Sequence, residues 1–140
     1  MTNIVISVFL SALALIESDN DAHKVGKHSE VGVYQIRKAC VRDVNKIWHT
    51  HFTQADCVDT QKAKAVCLLY LTHYGDQYRA ETGLAPSVTV LARIWNGGPR
   101  GWKRQSTADY AQRLYAVYLD RLVSGNFARV WAAVCQIKSS

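Results

Sequence analysis

The stretch IVISVFLSALALIE, residues 4–17, is a nearly unbroken apolar run that two serines interrupt and a glutamate closes. Its apolar side chains recur at every helical spacing, so a helix built from it is apolar around most of its circumference. Such a helix normally lies at the centre of its domain. We therefore expect residues 4–17 to form a central first helix, which the polar cluster at 18–21 ends.

The rest of the chain also has mainly helical patterning. Apolar residues at three- and four-residue spacing predict helices over about 37–49, 60–75, 87–95, 108–123 and 127–137, with a break at Ser124-Gly125-Asn126. Ser87 and Thr107 are suited to cap the helices at 87–95 and 108–123. Segment 23–36 predicts a small β-hairpin or irregular loop between the first two helices. The expected fold class is mainly α, in a single domain over residues 1–140.

The charge of the chain favours an anionic partner. Its 140 residues carry a net charge of +6, with a pI of about 9.3, which suits nucleic acid, an anionic membrane face or the bacterial wall. Lysines and arginines are scattered and never form a run of five, so no nucleic-acid partner is expected. No stretch of about 18 apolar residues occurs, so no integral membrane segment is expected either.

Metal and cofactor motifs are not expected. The cysteines at 40, 57, 67 and 135 form no C-x-x-C pair, which disfavours a zinc knuckle or a thioredoxin motif. Cys40 and Cys67 fall on apolar helical faces typical of buried thiols, and one or two disulfides remain an alternative. His49-Thr50-His51 has no convincing third ligand, and the chain has neither a G-x-S-x-G elbow nor a phosphate-binding glycine loop.

Glu17 is the first candidate for chemistry. It ends an apolar helix, and both burial and the negative pole of a helix C-terminus raise a carboxyl pKa. A glycosidase needs such a group, because a proton must be held near neutral pH for the leaving oxygen. Taken alone, Glu17 is better interpreted as a solvated glutamate at a helix end.

Three further segments carry parts suited to a carbohydrate site. In Gly32-Val33-Tyr34-Gln35-Ile36, Tyr34 offers a sugar-stacking face and Gln35 offers both a donor and an acceptor. In Trp95-Asn96-Gly97-Gly98-Pro99, the Asn96 amide stands beside exposed glycine backbone, although a helix end explains the glycines equally well. Tyr110, early in the fifth helix, fits a site residue and a core residue equally well.

Read in order, these segments resemble the soluble lytic transglycosylase catalytic domain and its relative, goose-type lysozyme. Residues 14–18, ALIES, look like the family's Glu-Ser motif at a helix end, and GVYQI at 32–36 resembles its Gly-Leu-Met-Gln motif with Tyr34 in place of Met. ARIWNGG at 92–98 is similar to its Ala-Tyr-Asn-x-Gly stretch, and TADYAQRL at 107–114 more loosely resembles its Tyr-containing helix. The match covers about residues 10–118.

The resemblance implies a lysozyme-like fold with a groove across it. It also implies that the protein cleaves the β-1,4 bond between N-acetylmuramic acid and N-acetylglucosamine in peptidoglycan. Glu17 would protonate the leaving oxygen and then act as base while the muramoyl C6 hydroxyl closes a 1,6-anhydro ring. By the family pattern, Ser18 would orient Glu17 or contact substrate, and Tyr110 would sit near Glu17. Substrate would also meet Tyr34, Gln35 and Asn96. No cofactor or metal is implied.

Two alternatives remain beside the transglycosylase. A hydrolytic lysozyme of the inverting kind needs a second carboxylate to activate water, and Glu30 is the candidate, although Arg37 stands where goose-type lysozymes tend to have an acid. The domain could instead be an inactive wall-binding or virion structural module, since Tyr34 and Trp95 depart from the commoner motif residues. The related chitin- and chitosan-cleaving enzymes broaden the range of substrates to test.

The first helix also bears on localisation. Ala12-Leu13-Ala14 resembles a signal-peptidase site, but the first basic residue is Lys24, so the positive start of a secretory signal is missing. Cleavage there would also remove the helix that carries Glu17. We expect no classical signal peptide and action at the bacterial cell wall, which fits an enzyme of phage or mobile-element origin.

Overall fold

Five α-helices follow one another within residues 4–138. The computed structural model describes residues 4–138, with the backbone alone at 126–128, 130–131, 133–134 and 137–138. The helices are α1 (Ile6–Ser18), α2 (Lys38–Trp48), α3 (Thr60–Thr82), α4 (Val88–Gly97) and α5 (Ala108–Lys138). Short 3₁₀ turns lie at Ala55–Val58, Gly101–Lys103 and Gln105–Thr107. The prediction of a mainly α fold is confirmed.

α1 is central, as its sequence indicates. No residue from Val8 to Ser18 is exposed, and Phe9 and Leu13 are completely buried. The helix packs mainly against α5, where the Tyr118 hydroxyl accepts a hydrogen bond from the Val5 N–H at 3.1 Å. It ends because Asp19 adopts the left-handed conformation, with a φ of 55°. Burial of this apolar run therefore fixes where Glu17, its penultimate residue, emerges.

The segment between α1 and α2 contains the small β-like element that the sequence predicts. Val31 forms isolated antiparallel bridges with both Val25 and Ile36. Short backbone bonds support them, from Gly26 N–H to Glu30 O at 2.8 Å and from Ile36 N–H to Val31 O at 2.9 Å. We call residues 24–37 the bridge segment.

The predicted end of the third helix is wrong. α3 continues through Gly75 to Thr82 and stops at Gly83, whose φ of 74° is left-handed. Gly75 is buried, with Pro86 and Leu91 packed beside it, so tertiary packing outweighs the roughly 1 kcal/mol that a glycine costs inside a helix. The Ser87 cap of α4 is confirmed, since its side chain accepts from the Val90 N–H at 3.2 Å.

The Thr107 hydroxyl, expected to cap the fifth helix, forms hydrogen bonds with other groups. The side chain is buried and donates towards the carbonyls of Gly101 and Arg104, at 2.7 and 2.8 Å. It also accepts a bond from Arg93 Nε at 2.9 Å. These bonds tie α4 to the chain that leads into α5, and they fix the loop after Asn96.

The predicted break at Ser124-Gly125-Asn126 is also wrong, because α5 runs continuously from Ala108 to Lys138. One glycine and two polar residues are weak interruptions in a helix that is already anchored on α1 and α4. Among the described residues, no helix is both long and apolar enough to cross a membrane.

Replacing Gly125 by alanine is therefore expected to stabilise the protein. A Cβ at this helical position meets nothing within 4 Å. Alanine lacks the extra backbone entropy of glycine, so the free energy of unfolding should rise by about 0.5–1 kcal/mol. Urea unfolding measures the change. A variant less stable than the parent would contradict a continuous helix at this point.

Candidate functional site

An open cleft of about 750 Å³ lies between the bridge segment and the loop that follows α4. Glu17 lines it from the end of α1, Glu30 and Gln35 from the bridge segment, and Asn96 from the end of α4. The structure thus brings together four of the residues that the sequence singles out, from three separate parts of the chain. The volume is in the range of ordinary ligand sites, about 300–1,000 Å³.

Glu17 has the environment of a proton donor. Burial raises the pKa of its carboxyl, and the Tyr110 hydroxyl and Lys24 partly counteract this by favouring the charged form. The Tyr110 hydroxyl donates to Glu17 Oε1 at 2.6 Å, and Lys24 Nζ donates to the Glu17 backbone carbonyl at 3.0 Å. The carboxyl is therefore held in one orientation, open to the cleft, and retains its proton to a higher pH than an exposed glutamate.

Tyr110 is a fixed hydrogen-bond donor. It is 8% exposed, and burial together with the neighbouring Glu17 raises the pKa of its hydroxyl far above the ordinary value. The phenol therefore keeps its proton throughout the physiological range and always offers it to Glu17. Tyr110 lies on α5, 93 residues after Glu17 in the chain. The hydrogen bond between them therefore depends on how α1 and α5 pack.

Replacing Tyr110 by phenylalanine should raise the pKa of Glu17 further. The lost hydroxyl bond favours the carboxylate, so its removal shifts the equilibrium towards the protonated acid. Carbon-detected NMR of the glutamate carboxyls measures this directly, with the exposed Glu81 as the internal reference. Tyr115→Phe, at an exposed tyrosine of the same helix, is the matched control. An unchanged or lower Glu17 pKa in Tyr110→Phe would contradict the arrangement.

Ser18 lies behind the site rather than in it. Its side chain is buried, and its hydroxyl donates towards the carbonyls of Ala14 at 3.1 Å and Val33 at 2.8 Å. It therefore joins the end of α1 to the bridge segment. Of the two roles that the resemblance implies, this geometry fits orientation of Glu17 and does not offer a substrate contact.

The structure does not bring Tyr34 to the site. Its side chain is 5% exposed and belongs to the core, not to the cleft lining. The turn explains this, because Gln35 has a φ of 51° and points to the cleft while its neighbour points inward. The expected sugar-stacking face of Tyr34 is thus corrected to a buried core contact.

Gln35 shapes the wall of the cleft. Its Nε2 donates to the carbonyls of Lys24 at 3.1 Å and Gly32 at 2.9 Å. A Cβ on Gly26 would lie 2.6 Å from Gln35 Oε1 and 2.2 Å from Glu30 Oε2, so a larger residue there would push the ends of both side chains aside. The amide nitrogen is thus committed to the loop.

Glu30 lines the same cleft as Glu17, but its pKa is shifted in the opposite direction. Its own backbone N–H, the His28 N–H and nearby Arg37 lower the pKa of its carboxyl. Oε2 accepts from the His28 N–H at 2.9 Å, and Oε1 lies 3.3 Å from Arg37. The charge of Glu30 in turn raises the Glu17 pKa. Two carboxyls with pKa values pushed apart are typical of an acid–base site.

Two residues that affect the pKa or position of Glu17 were missed by the sequence prediction. The Trp95 indole lines the cleft and stands edge-on to Tyr70, with the two ring centroids 5.7 Å apart, and its proximity to Glu17 lowers the pKa of that carboxyl. Its only signal was an aromatic side chain directly before Asn96. Lys24 had no signal, because its bond to the Glu17 carbonyl depends on how the bridge segment folds back.

Other chemistry at the cleft is limited. Cys40 lines it, but burial raises the pKa of this thiol to about 12, so it stays protonated and a poor nucleophile. Within residues 4–138, no three side chains of His, Cys, Asp or Glu come together as metal ligands would. The described arrangement therefore offers acid–base chemistry centred on Glu17.

Comparison with known proteins adds no relative to these observations. No protein-family model matches the chain, and no curated protein matches it. The lysozyme-like form of the fold and the likeness to lytic transglycosylases therefore remain predictions from the sequence. Function has to be argued from the cleft itself.

Proposed function

We propose that this protein cleaves the β-1,4 bond between N-acetylmuramic acid and N-acetylglucosamine in peptidoglycan, as a lytic transglycosylase. The observation that carries the proposal is Glu17, a carboxyl of raised pKa that Tyr110 holds at 2.6 Å at the edge of an open cleft. Such a group can hold a proton near neutral pH and deliver it to a glycosidic oxygen. Peptidoglycan is proposed as the substrate because the order of the motifs along the chain resembles that of the lytic transglycosylases.

In the proposed reaction one carboxyl performs two proton transfers. Glu17 first donates its proton to the leaving oxygen as the bond to the muramoyl C1 breaks. The resulting carboxylate then takes the proton of the muramoyl C6 hydroxyl, whose oxygen bonds to C1 and closes the 1,6-anhydro ring. Glu17 ends protonated again, and no water is consumed. Tyr110 favours the first step, because its hydroxyl bond stabilises the carboxylate that forms when Glu17 gives up its proton.

Hydrolysis is the second candidate, because Glu30 is an ionised carboxylate in the same cleft. An inverting hydrolase uses such a group to activate water. Both oxygens of Glu30, however, are engaged by the bridge segment's own His28 N–H and Arg37. That engagement favours a structural role for Glu30, and with it the single-carboxyl reaction.

Mass spectrometry of products from purified peptidoglycan tests the proposal. We expect muropeptides ending in 1,6-anhydromuramic acid, each lighter by one water than the hydrolysis product. Glu30→Gln should retain the anhydro products at a reduced yield, because the bridge segment loses the Arg37 contact. Reducing-end muramic acid, lost in Glu30→Gln, would instead establish the hydrolase.

A further inference from the structure

The cleft carries more positive than negative charge once Glu17 is protonated. Its lining includes four lysine and arginine side chains against two other carboxylates, Glu30 and Asp43. Glu30 is paired with Arg37, and Asp43 accepts a hydrogen bond from the Tyr74 hydroxyl at 3.1 Å. The remaining cations are Lys24, Lys27 and Arg104, which we call the cationic lining.

The cationic lining is not neutralised by the protein's own acids. Among residues 4–138 none of its three members lies within ion-pair distance of a carboxylate, and all three are exposed. Lys24 bonds only a neutral partner, the Glu17 carbonyl. Lys24 and Lys27 come from the bridge segment and Arg104 from the loop after α4, so both walls contribute. The three cations therefore line both walls of the cleft without a carboxylate partner among the described residues.

We propose that the cationic lining binds carboxylates carried by the muramoyl residues of the substrate. The inference rests on the proposed function. Glucosamine units of the glycan are neutral when acetylated, whereas each muramic acid bears a lactyl ether. That ether ends either in a free carboxylate or in a peptide stem that carries carboxylates of its own. The lining thereby selects acidic peptidoglycan over neutral chitin and repels cationic chitosan.

The contribution of these charges is modest and depends on salt. Pairs formed by exposed side chains are weakened by solvent and by counterions. Reversing one lysine removes an attraction and adds a repulsion, so we expect a loss of about threefold to tenfold in affinity at low ionic strength. At high salt the loss should shrink, because the Debye length falls to about 3 Å at 1 M.

Binding of matched muroglycan tetrasaccharides tests this, in a Glu17→Gln background that leaves the fragments uncut. Three fragments are titrated by calorimetry: one with peptide stems, one stripped by an amidase to free lactyl carboxylates, and the stripped one with those carboxylates converted to neutral methylamides. Lys27→Glu is the test variant. Lys46→Glu, at an exposed lysine of α2 outside the cleft lining, is its control.

The acidic fragments should bind about threefold to tenfold more tightly than the amidated one, and Lys27→Glu but not Lys46→Glu should abolish that advantage. Tighter binding of the stem-bearing fragment assigns the carboxylate to the stem, tighter binding of the stripped fragment assigns it to the lactyl group, and equal binding shows that the lining accepts either. Equal affinity for acidic and amidated fragments, or equal losses in both variants, overturns the inference. Failure of the unaltered protein to cleave any peptidoglycan would instead defeat the proposed function.

Discussion

Glu17→Gln is expected to abolish measurable clearing of a peptidoglycan suspension, with a loss of about 10²–10⁴-fold in rate, the usual contribution of a general acid–base group. The amide has no proton of suitable acidity for the leaving oxygen and cannot take one from the C6 hydroxyl. Both proposed steps therefore fail together. Turbidity of purified peptidoglycan, followed alongside product analysis, gives the rate.

The same variant should fold at least as well as the parent, so its loss of activity can be read as chemical. Glutamine preserves the shape of the side chain, and its amide oxygen can still accept the Tyr110 hydroxyl bond. Burial raises the Glu17 pKa above the 4.5 of the unfolded chain, so the folded state binds the extra proton. Stability of the parent then falls as pH rises from 4.5 through the folded-state pKa. Glutamine does not ionise, so the variant does not lose stability in this way as the pH rises.

Glu81→Gln is the matched control for this experiment. Glu81 is an exposed glutamate that pairs with Arg100 and Lys103, away from the cleft lining. We expect its variant to clear the wall at nearly the parental rate. If wild type and Glu17→Gln clear the suspension equally, Glu17 is not the acid. If neither has activity, the proposed cleavage of peptidoglycan is wrong.

Local patterning was enough to predict the helices and the position of Glu17, because burial of an apolar run is a local property of sequence. The ends of helices were predicted less well. Gly75 and Gly125 both lie inside helices that continue past them, since contacts made by distant parts of the chain outweigh a single glycine. Helix boundaries thus depend on packing that the local sequence does not contain.

At the site, the motifs identified residues but not the direction of their side chains. Ser18 and Tyr34 come from the same motifs as Glu17 and Gln35, yet both face the core. Their direction depends on the turn around Gln35 and on the close approach of the bridge segment to the Ala55–Val58 turn. The contact between Glu17 and Lys24 arises from the same folding of the segment. These side-chain directions depend on tertiary packing, and substitution of Gly32 tests that packing most directly.

Gly32→Ala is expected to lower the free energy of unfolding by about 2–5 kcal/mol, the sum of a left-handed penalty and a forced packing shift. Gly32 has a φ of 81°, and a Cβ there would lie 2.1 Å from the Cys57 carbonyl oxygen, which is backbone and cannot rotate away. The bridge segment must therefore move off the Ala55–Val58 turn. That movement disturbs the Ser18 bond to Val33 and the Gln35 bond to Gly32 itself.

Gly83→Ala separates the two contributions to this loss. Gly83 has a similar φ of 74°, but a Cβ there meets nothing within 4 Å, so alanine should cost only about 1–2 kcal/mol. Urea unfolding of both variants measures the difference, which reports the contact between the bridge segment and the Cys57 backbone. Under conditions where Gly32→Ala remains folded, peptidoglycan cleavage should still fall, because Gln35 and the Ser18 anchor of Glu17 are displaced. Equal stability of the two variants would show that the bridge segment does not pack against Cys57 as described, and the wall of the cleft would then have to be built differently.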